Sequence, residues 1–106
     1  MRPTKVLSSK YHENQIKEYL NRNALILDVR TPKEWNNGHI DDSIHIEFNQ
    51  ISNHLDTIQN FEKPIIVVCA SGVRSGKVSD FLINHGIHAF NGGSWEMVAK
   101  LKANQS

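Results

Sequence analysis

One cysteine and one arginine, with four residues between them, are the side chains of this sequence best suited to covalent chemistry: Cys69-Ala70-Ser71-Gly72-Val73-Arg74-Ser75. A thiolate is a strong nucleophile and a soft leaving group, and its formation is governed by the charges around it. Here a run of β-branched residues, Ile65-Ile66-Val67-Val68, delivers the sulfur to the end of a strand. A short loop follows, and a helical pattern starts near Lys77, with Val78, Phe81 and Leu82 at i, i+3 and i+4. A strand–loop–helix hinge presents backbone N–H groups and a helix N-terminus, both partially positive, and Arg74 adds a full charge. All three favour the thiolate and lower the pKa from the free value of about 8.5. Gly72 relaxes the backbone of a tight loop, and Ser71 and Ser75 offer hydroxyls to an anion or to the helix as caps.

A lone cysteine closing a strand is ordinarily a small buried hydrophobe. The Gly, Arg and Ser that follow it tip the reading toward a reactive thiol, because a plain strand–helix connection has no need of a cationic nest. Other candidates carry less. The six histidines, His12, His39, His45, His54, His85 and His88, form no metal-ligand spacing with a second cysteine or a carboxylate pair. No metal or organic cofactor is expected. His39 is a candidate base for Cys69. Asp28 and Arg30, at the end of an apolar strand, read first as a buried pair that pins the loops, with a catalytic role as the alternative. Glu34 lies close enough in sequence to pair with Arg30.

The elements that must position these groups alternate. Val6-Leu7 is a short candidate strand, and His12 to Asn21 is a helix with Ile16, Tyr19 and Leu20 on one face. Ala24 to Val29 reads as a strand buried on both faces. Pro32 opens a short helix capped by Thr31, and Trp35 is expected to pack on the sheet. Ile44-His45-Ile46 is a further strand. Asn49 or Gln50 opens a helix carrying Ile51, Leu55 and Ile58. After the helix that follows Cys69, Asn84-His85-Gly86 is a stop signal. Ile87 to Phe90 is the last strand, Gly92-Gly93 admits a close backbone approach to the cysteine loop, and Ser94 caps a final helix. This order predicts an α/β fold with a parallel sheet and helices on both faces. Asp28, Cys69 and Gly92-Gly93 then share one sheet edge.

Composition sets the limits. At 106 residues the chain suits one domain, and its 39% apolar content suits a globular one. A net charge of +1 without a basic run argues against nucleic acid as a partner. The longest apolar run, Ile65 to Ala70, is far short of the about 20 residues that span a membrane. One cysteine rules out an internal disulfide, and a cytoplasmic location is the simplest expectation.

Three stretches together resemble one family. Cys69 to Ser75 is similar to the active-site loop of single-domain rhodaneses. Leu27-Asp28-Val29-Arg30-Thr31-Pro32-Lys33-Glu34-Trp35-Asn36-Asn37-Gly38-His39-Ile40 resembles the family's Asp-Val-Arg … Glu-aromatic … Gly-His-Ile signature, and Gly92-Gly93-Ser94-Trp95 its Gly-Gly … Trp segment. Two departures stand out. Asp41-Asp42-Ser43 replaces the Pro-Gly-Ala of many members, and Ala70 stands where several two-domain rhodaneses carry a basic residue. The resemblance implies a single rhodanese domain over residues 1–106, a three-layer fold around a mostly parallel sheet of five strands, and sulfurtransferase activity. Cys69 would be the nucleophile that carries a persulfide. Ala70, Ser71, Gly72, Val73, Arg74 and Ser75 would bind the substrate. Small sulfur-containing anions, thiol acceptors and a sulfur-relay protein are the partner classes implied. Two other readings remain at this point. One is a persulfide carrier or regulatory docking module. The other is a cysteine phosphatase or arsenate reductase, whose loops place one residue more between cysteine and arginine.

Overall fold

The computed structural model describes residues 10–105. Its elements run α1 (His12–Asn21), β1 (Leu25–Asp28), α2 (Pro32–Asn36), β2 (Ile44–His45), a 3-10 segment (Phe48–His54), α3 (Leu55–Asn60), β3 (Ile65–Cys69), α4 (Val73–Asn84), β4 (Ala89–Ser94) and α5 (Trp95–Ala103). The four strands form one parallel sheet in the order β2-β1-β3-β4. The expected fifth strand, Val6-Leu7, lies outside the described residues, so the described sheet has four strands. Among these residues no helix is long and apolar enough to cross a membrane.

Alternation along the strands builds two cores. Leu27, Val29, Val67 and Cys69 face Ile51, Ile58 of α3, and Val78 and Leu82 of α4. Ile26, Ile66 and Val68 face Ile16 and Leu20 of α1 and Val98 and Leu101 of α5. β3 is buried along its full length, as expected for a central strand covered on both faces. The sheet is thus the middle of three layers.

Several local expectations meet different outcomes. α1 spans the predicted residues, and Gly86 lies just past the end of α4 at φ +80°. α2 is held by a full capping box, in which Thr31 Oγ1 accepts from Glu34 N and Glu34 Oε1 accepts from Thr31 N. The helix expected from Asn49 begins instead as a 3-10 turn at Phe48 and becomes α-helical only at Leu55. Trp35 does not pack into either core. Its ring lies between the imidazoles of His39 and His45, at centroid distances of 3.6 and 4.7 Å. The Asp41-Asp42-Ser43 departure is absorbed by a tight turn, where Ser43 N donates to Ile40 O and Asp42 takes φ +69°. A short polar residue tolerates that conformation better than most.

β4 does not stop at Phe90 but continues through both glycines. It does so by a bulge: Val67 pairs with Asn91 and Val68 with Gly93, leaving Gly92 as the extra residue. A Cβ on Gly92 would sit 2.5 Å from Ile66 Cγ2, so only glycine lets the bulge lie against β3. This register places Asn91 opposite Val67, on the sheet face of Cys69, and pairs Cys69 with Ser94 at the carboxyl edge.

Candidate functional site

β1 sends the chain to β2 on one side of the sheet, while β3 lies on its other side. The crevice beyond the carboxyl ends of β1 and β3 is therefore a topological switch point, the usual ligand position in open α/β sheets. Cys69 ends β3 there. Its residue is 1% exposed, as a structural cysteine would be, yet three polar groups aim at its sulfur. Gly72 N donates to Sγ at 3.0 Å, Ser75 N at 3.4 Å, and Ser75 Oγ lies 3.3 Å away. Burial pushes the thiol pKa up, but the Ser75 hydroxyl and the N–H groups of Ser75, Gly72 and Ser71 outweigh it, so the net direction is down.

The helix carrying these donors starts at Val73, not near Lys77, and Arg74 and Ser75 belong to its first turn. Gly72 is its N-cap at φ +108°, without a side-chain cap. The earlier start explains how Ser75 N reaches the sulfur: the first-turn amides of α4 have no partners inside the helix and turn toward Cys69. Ala70, Ser71 and Val73 are exposed around this nest, and Ser75 is buried beneath it.

Arg74 does not face the sulfur as a free cation. Its Nη1 and Nη2 donate to Glu34 Oε1 and Oε2 at 2.9 and 3.0 Å. This two-point bond, with the Thr31 amide, holds the Glu34 carboxyl down at about 2, and Glu34 raises Arg74 above its ordinary range. The pair tethers α2 to the cysteine loop. The folded-state pKa of Glu34 lies below the unfolded one, so its stabilisation is complete above the usual carboxylate range and disappears as pH falls toward 2. Glu34 therefore does not pair with Arg30, as its sequence proximity suggested; Arg30 takes only the Glu34 carbonyl, at 3.3 Å. Arg30 instead forms the expected pair with Asp28, with Nε at 3.0 Å from both carboxylate oxygens and Nη2 at 2.8 Å from Oδ2. The guanidinium also donates to Gly38 O at 2.7 Å and lies 4.4 Å from the Trp95 ring. His39 is exposed, stacked on Trp35, with Nδ1 against Trp35 O. It is not among the groups bonded to Cys69.

Asn91 is the residue that the sequence reasoning passed over. Its Oδ1 accepts from Ser75 Oγ at 2.7 Å and from Gly93 N at 3.0 Å, and its Nδ2 donates to Gly72 O at 3.2 Å. One amide thus ties the cysteine loop, α4 and the bulge together. Gly76 leaves the room, since a Cβ there would lie 3.1 Å from Asn91 Nδ2. The only sequence signal was an amide directly before Gly92-Gly93. The expected close approach of the glycines to the loop is present: a Cβ on Gly72 would meet Gly93 Cα at 3.4 Å.

The Ser75 hydroxyl has one proton and two acceptors, Asn91 Oδ1 and the sulfur. When Cys69 is ionised, the proton can turn to Sγ, because Asn91 Oδ1 keeps the Gly93 N–H. Ser75→Ala should therefore raise the thiol pKa. The pH profile of iodoacetamide alkylation should move to higher pH, with a severalfold slower rate at neutral pH. An unmoved profile would show that the hydroxyl does not support the thiolate.

The Rhodanese-like domain family model matches residues 12–100. The chain belongs to this family. The rhodanese-like match covers every element from α1 into α5 and so includes the cysteine loop, the Asp28–Arg30 pair and Glu34. The chain is 33% identical over 85 residues to the Bacillus subtilis protein YqhL, covering 77% of this chain and 67% of that one. It is 30% identical over 81 residues to thiosulfate sulfurtransferase GlpE of Actinobacillus pleuropneumoniae serotype 3, covering 72% of this chain and 74% of the relative. A rhodanese-like domain protein from Staphylococcus aureus superposes with a TM-score of 0.69 at 31% identity, over 82% of this chain and 86% of that one.

Proposed function

We propose that this protein is a sulfurtransferase that moves a sulfane sulfur from a donor such as thiosulfate to a nucleophilic acceptor through a persulfide on Cys69. The observation that carries the reading is the convergence of Gly72 N, Ser75 N and the Ser75 hydroxyl on one buried sulfur whose pKa is lowered. The family and the GlpE relatives, named thiosulfate sulfurtransferases, supply the reaction class.

The Cys69 thiolate attacks the outer sulfur of the donor. The S–S bond of thiosulfate breaks, sulfite leaves with its electron pair, and Cys69 holds a persulfide anion. The loop Ala70-Ser71-Gly72-Val73-Arg74-Ser75 surrounds the terminal sulfur and stabilises its charge as an oxyanion hole does for oxygen. An acceptor, cyanide in the test tube or a thiol, then attacks that sulfur and returns the Cys69 thiolate. This is covalent, ping-pong catalysis. Glu34 argues against a phosphatase, since a phosphate would need the two-point donor face of Arg74 that Glu34 already occupies. The test is mass spectrometry of the purified protein. Thiosulfate should add the mass of one sulfur at Cys69, and cyanide should remove it. No mass gain with any sulfane donor would overturn the reading.

A further inference from the structure

The Ser75 hydroxyl is fully buried and has a single hydrogen for two acceptors, Cys69 Sγ at 3.3 Å and Asn91 Oδ1 at 2.7 Å. Sulfur and carboxamide compete for it. The orientation of the Asn91 carboxamide is fixed by main-chain partners of opposite kind. Gly93 N, a donor, stands 3.0 Å from Oδ1, and Gly72 O, an acceptor, stands 3.2 Å from Nδ2. A flipped amide would set like against like at both ends. The backbone of Asn91 is held as well, by the bulge register and by His12 of α1, whose Nε2 donates to Asn91 O at 2.9 Å. The charged groups around this network are already engaged. Arg74 of α4 binds Glu34 of α2, Arg30 binds Asp28 at the end of β1, and His45 of β2 donates to Arg30 O. Glu47, half-buried ahead of the 3-10 segment, forms no ion pair among the described residues. His54, Asp56, Lys77, Asp80 and Glu96, on the remaining elements, are exposed. The group free to respond when the charge on Sγ changes is therefore the Ser75 hydroxyl.

Resting on the persulfide reading above, we propose that Asn91 is a positioning residue for Cys69: its Oδ1 accepts the Ser75 hydroxyl whenever Sγ carries no charge and gives it up when Sγ is a thiolate. The hydrogen stays on Oγ throughout; only its direction changes. In the thiol, S–H faces a Ser75 oxygen whose own hydrogen points to Asn91. Ionisation removes S–H, and the hydroxyl turns to the sulfur while Oδ1 retains the Gly93 N–H. Attack on the donor then moves the negative charge out to the terminal sulfur. Sγ is left as a neutral divalent sulfur, a weak acceptor. The hydroxyl returns to the stronger acceptor, the carboxamide oxygen, rather than staying buried without a good partner. Asn91 thus stabilises the two uncharged states of Sγ, thiol and persulfide, relative to the thiolate. It keeps the thiolate from being held so tightly that sulfur loading becomes unfavourable.

The first test is the pH profile of iodoacetamide alkylation in the wild type, Asn91→Leu, Ser75→Ala and the double variant. Removing the competing acceptor should move the Asn91→Leu profile to lower pH by about half a unit to one unit, the equivalent of one neutral hydrogen bond made only in the thiol state. In the Ser75→Ala background the same substitution should move nothing, because the group through which Asn91 acts is gone. A merely structural tie would loosen the loop in both backgrounds and move both profiles to higher pH. That result, or an unmoved Asn91→Leu profile, overturns the proposal. The second test uses the wild type and so does not depend on Asn91→Leu folding. It follows the Gly93 amide resonance of isotope-labelled protein. On ionisation of Cys69 the Gly93 N–H becomes the sole donor to Oδ1, and its proton should move downfield. Loading with thiosulfate should return it toward its thiol position. A Gly93 resonance still at the thiolate position after loading overturns the proposal while sulfur transfer stands. If mass spectrometry finds no sulfur on Cys69 with any sulfane donor, the sulfur-transfer reading fails and the persulfide half of the proposal with it; the alkylation profiles then decide the thiol half.

Discussion

Cys69→Ser should reduce thiosulfate:cyanide sulfur transfer to background, a loss on the order of 10³-fold or more, the scale seen when a covalent nucleophile is removed. An alkoxide is not available at neutral pH, and a serine hydroxyl is a poor nucleophile toward sulfane sulfur. It has no stable counterpart of the persulfide in which to store the atom. The fold should survive. The substituted side chain is slightly smaller and still polar, so it can accept from the nearer donor, Gly72 N, which stands 3.0 Å from Sγ, while the longer Ser75 N contact, 3.4 Å to Sγ, weakens. A stability change of about 1 kcal/mol is the expected scale. Two readouts separate chemistry from folding: steady-state turnover beside a urea melt, and the mass gain after thiosulfate, present in the wild type and absent in the variant. Turnover that persists undiminished in Cys69→Ser would remove Cys69 from the mechanism.

The parts of this site that were legible in the sequence are those made by neighbours in the chain. The strand into Cys69, the Thr31–Glu34 cap, the Asp28–Arg30 pair and the stop at Gly86 each lie within a few residues, where spacing and residue type determine geometry. The parts that were not legible join distant segments. Glu34 and Arg74 stand 40 residues apart, and nothing in the local pattern distinguishes Arg74 from a cation aimed at substrate. Asn91 reaches Ser75 only because the bulge at Gly92 sets its register against Val67. A bulge depends on the partner strand, so the sequence pattern alone ends β4 at Phe90, where its apolar residues end. The apolar pattern starts α4 late, near Lys77, for a related reason. Val73-Arg74-Ser75-Gly76 has poor helix propensity, and its helical first turn is secured by partners outside it: the Cys69 sulfur on Ser75 N, Asn91 on the Ser75 hydroxyl and Glu34 on Arg74. The expected fifth strand, Val6-Leu7, lies outside the described residues.

The same distinction bears on Asp28, whose two readings, structural or catalytic, differ sharply in what its removal does. Asp28→Ala should destabilise the protein by about 3–5 kcal/mol, the cost of leaving a buried charge without its partner. Asp28 and Arg30 are 1% and 4% exposed. The carboxylate accepts Arg30 N and Nε at 3.0 Å and Nη2 at 2.8 Å. After truncation the guanidinium retains Gly38 O, Glu34 O and the face of Trp95. These are dipoles and a quadrupole, and none carries the full negative charge that is lost. For a domain whose total stability is about 5–15 kcal/mol, the loss should show as a large fall in the urea midpoint. Activity measured on the remaining folded fraction should change far less, since Arg30 anchors the α2 loop rather than bonding the sulfur. The double variant Asp28→Leu with Arg30→Met provides the control. Replacing both charges with apolar groups strands no charge, and such replacements are often neutral or stabilising; it still leaves Arg30 N and Gly38 O without their present partners, so it should recover part of the lost stability. An Asp28→Ala protein with an unchanged midpoint and lost transfer would instead place the carboxylate in the chemistry, and the clamp between β1 and the α2 loop would need another account.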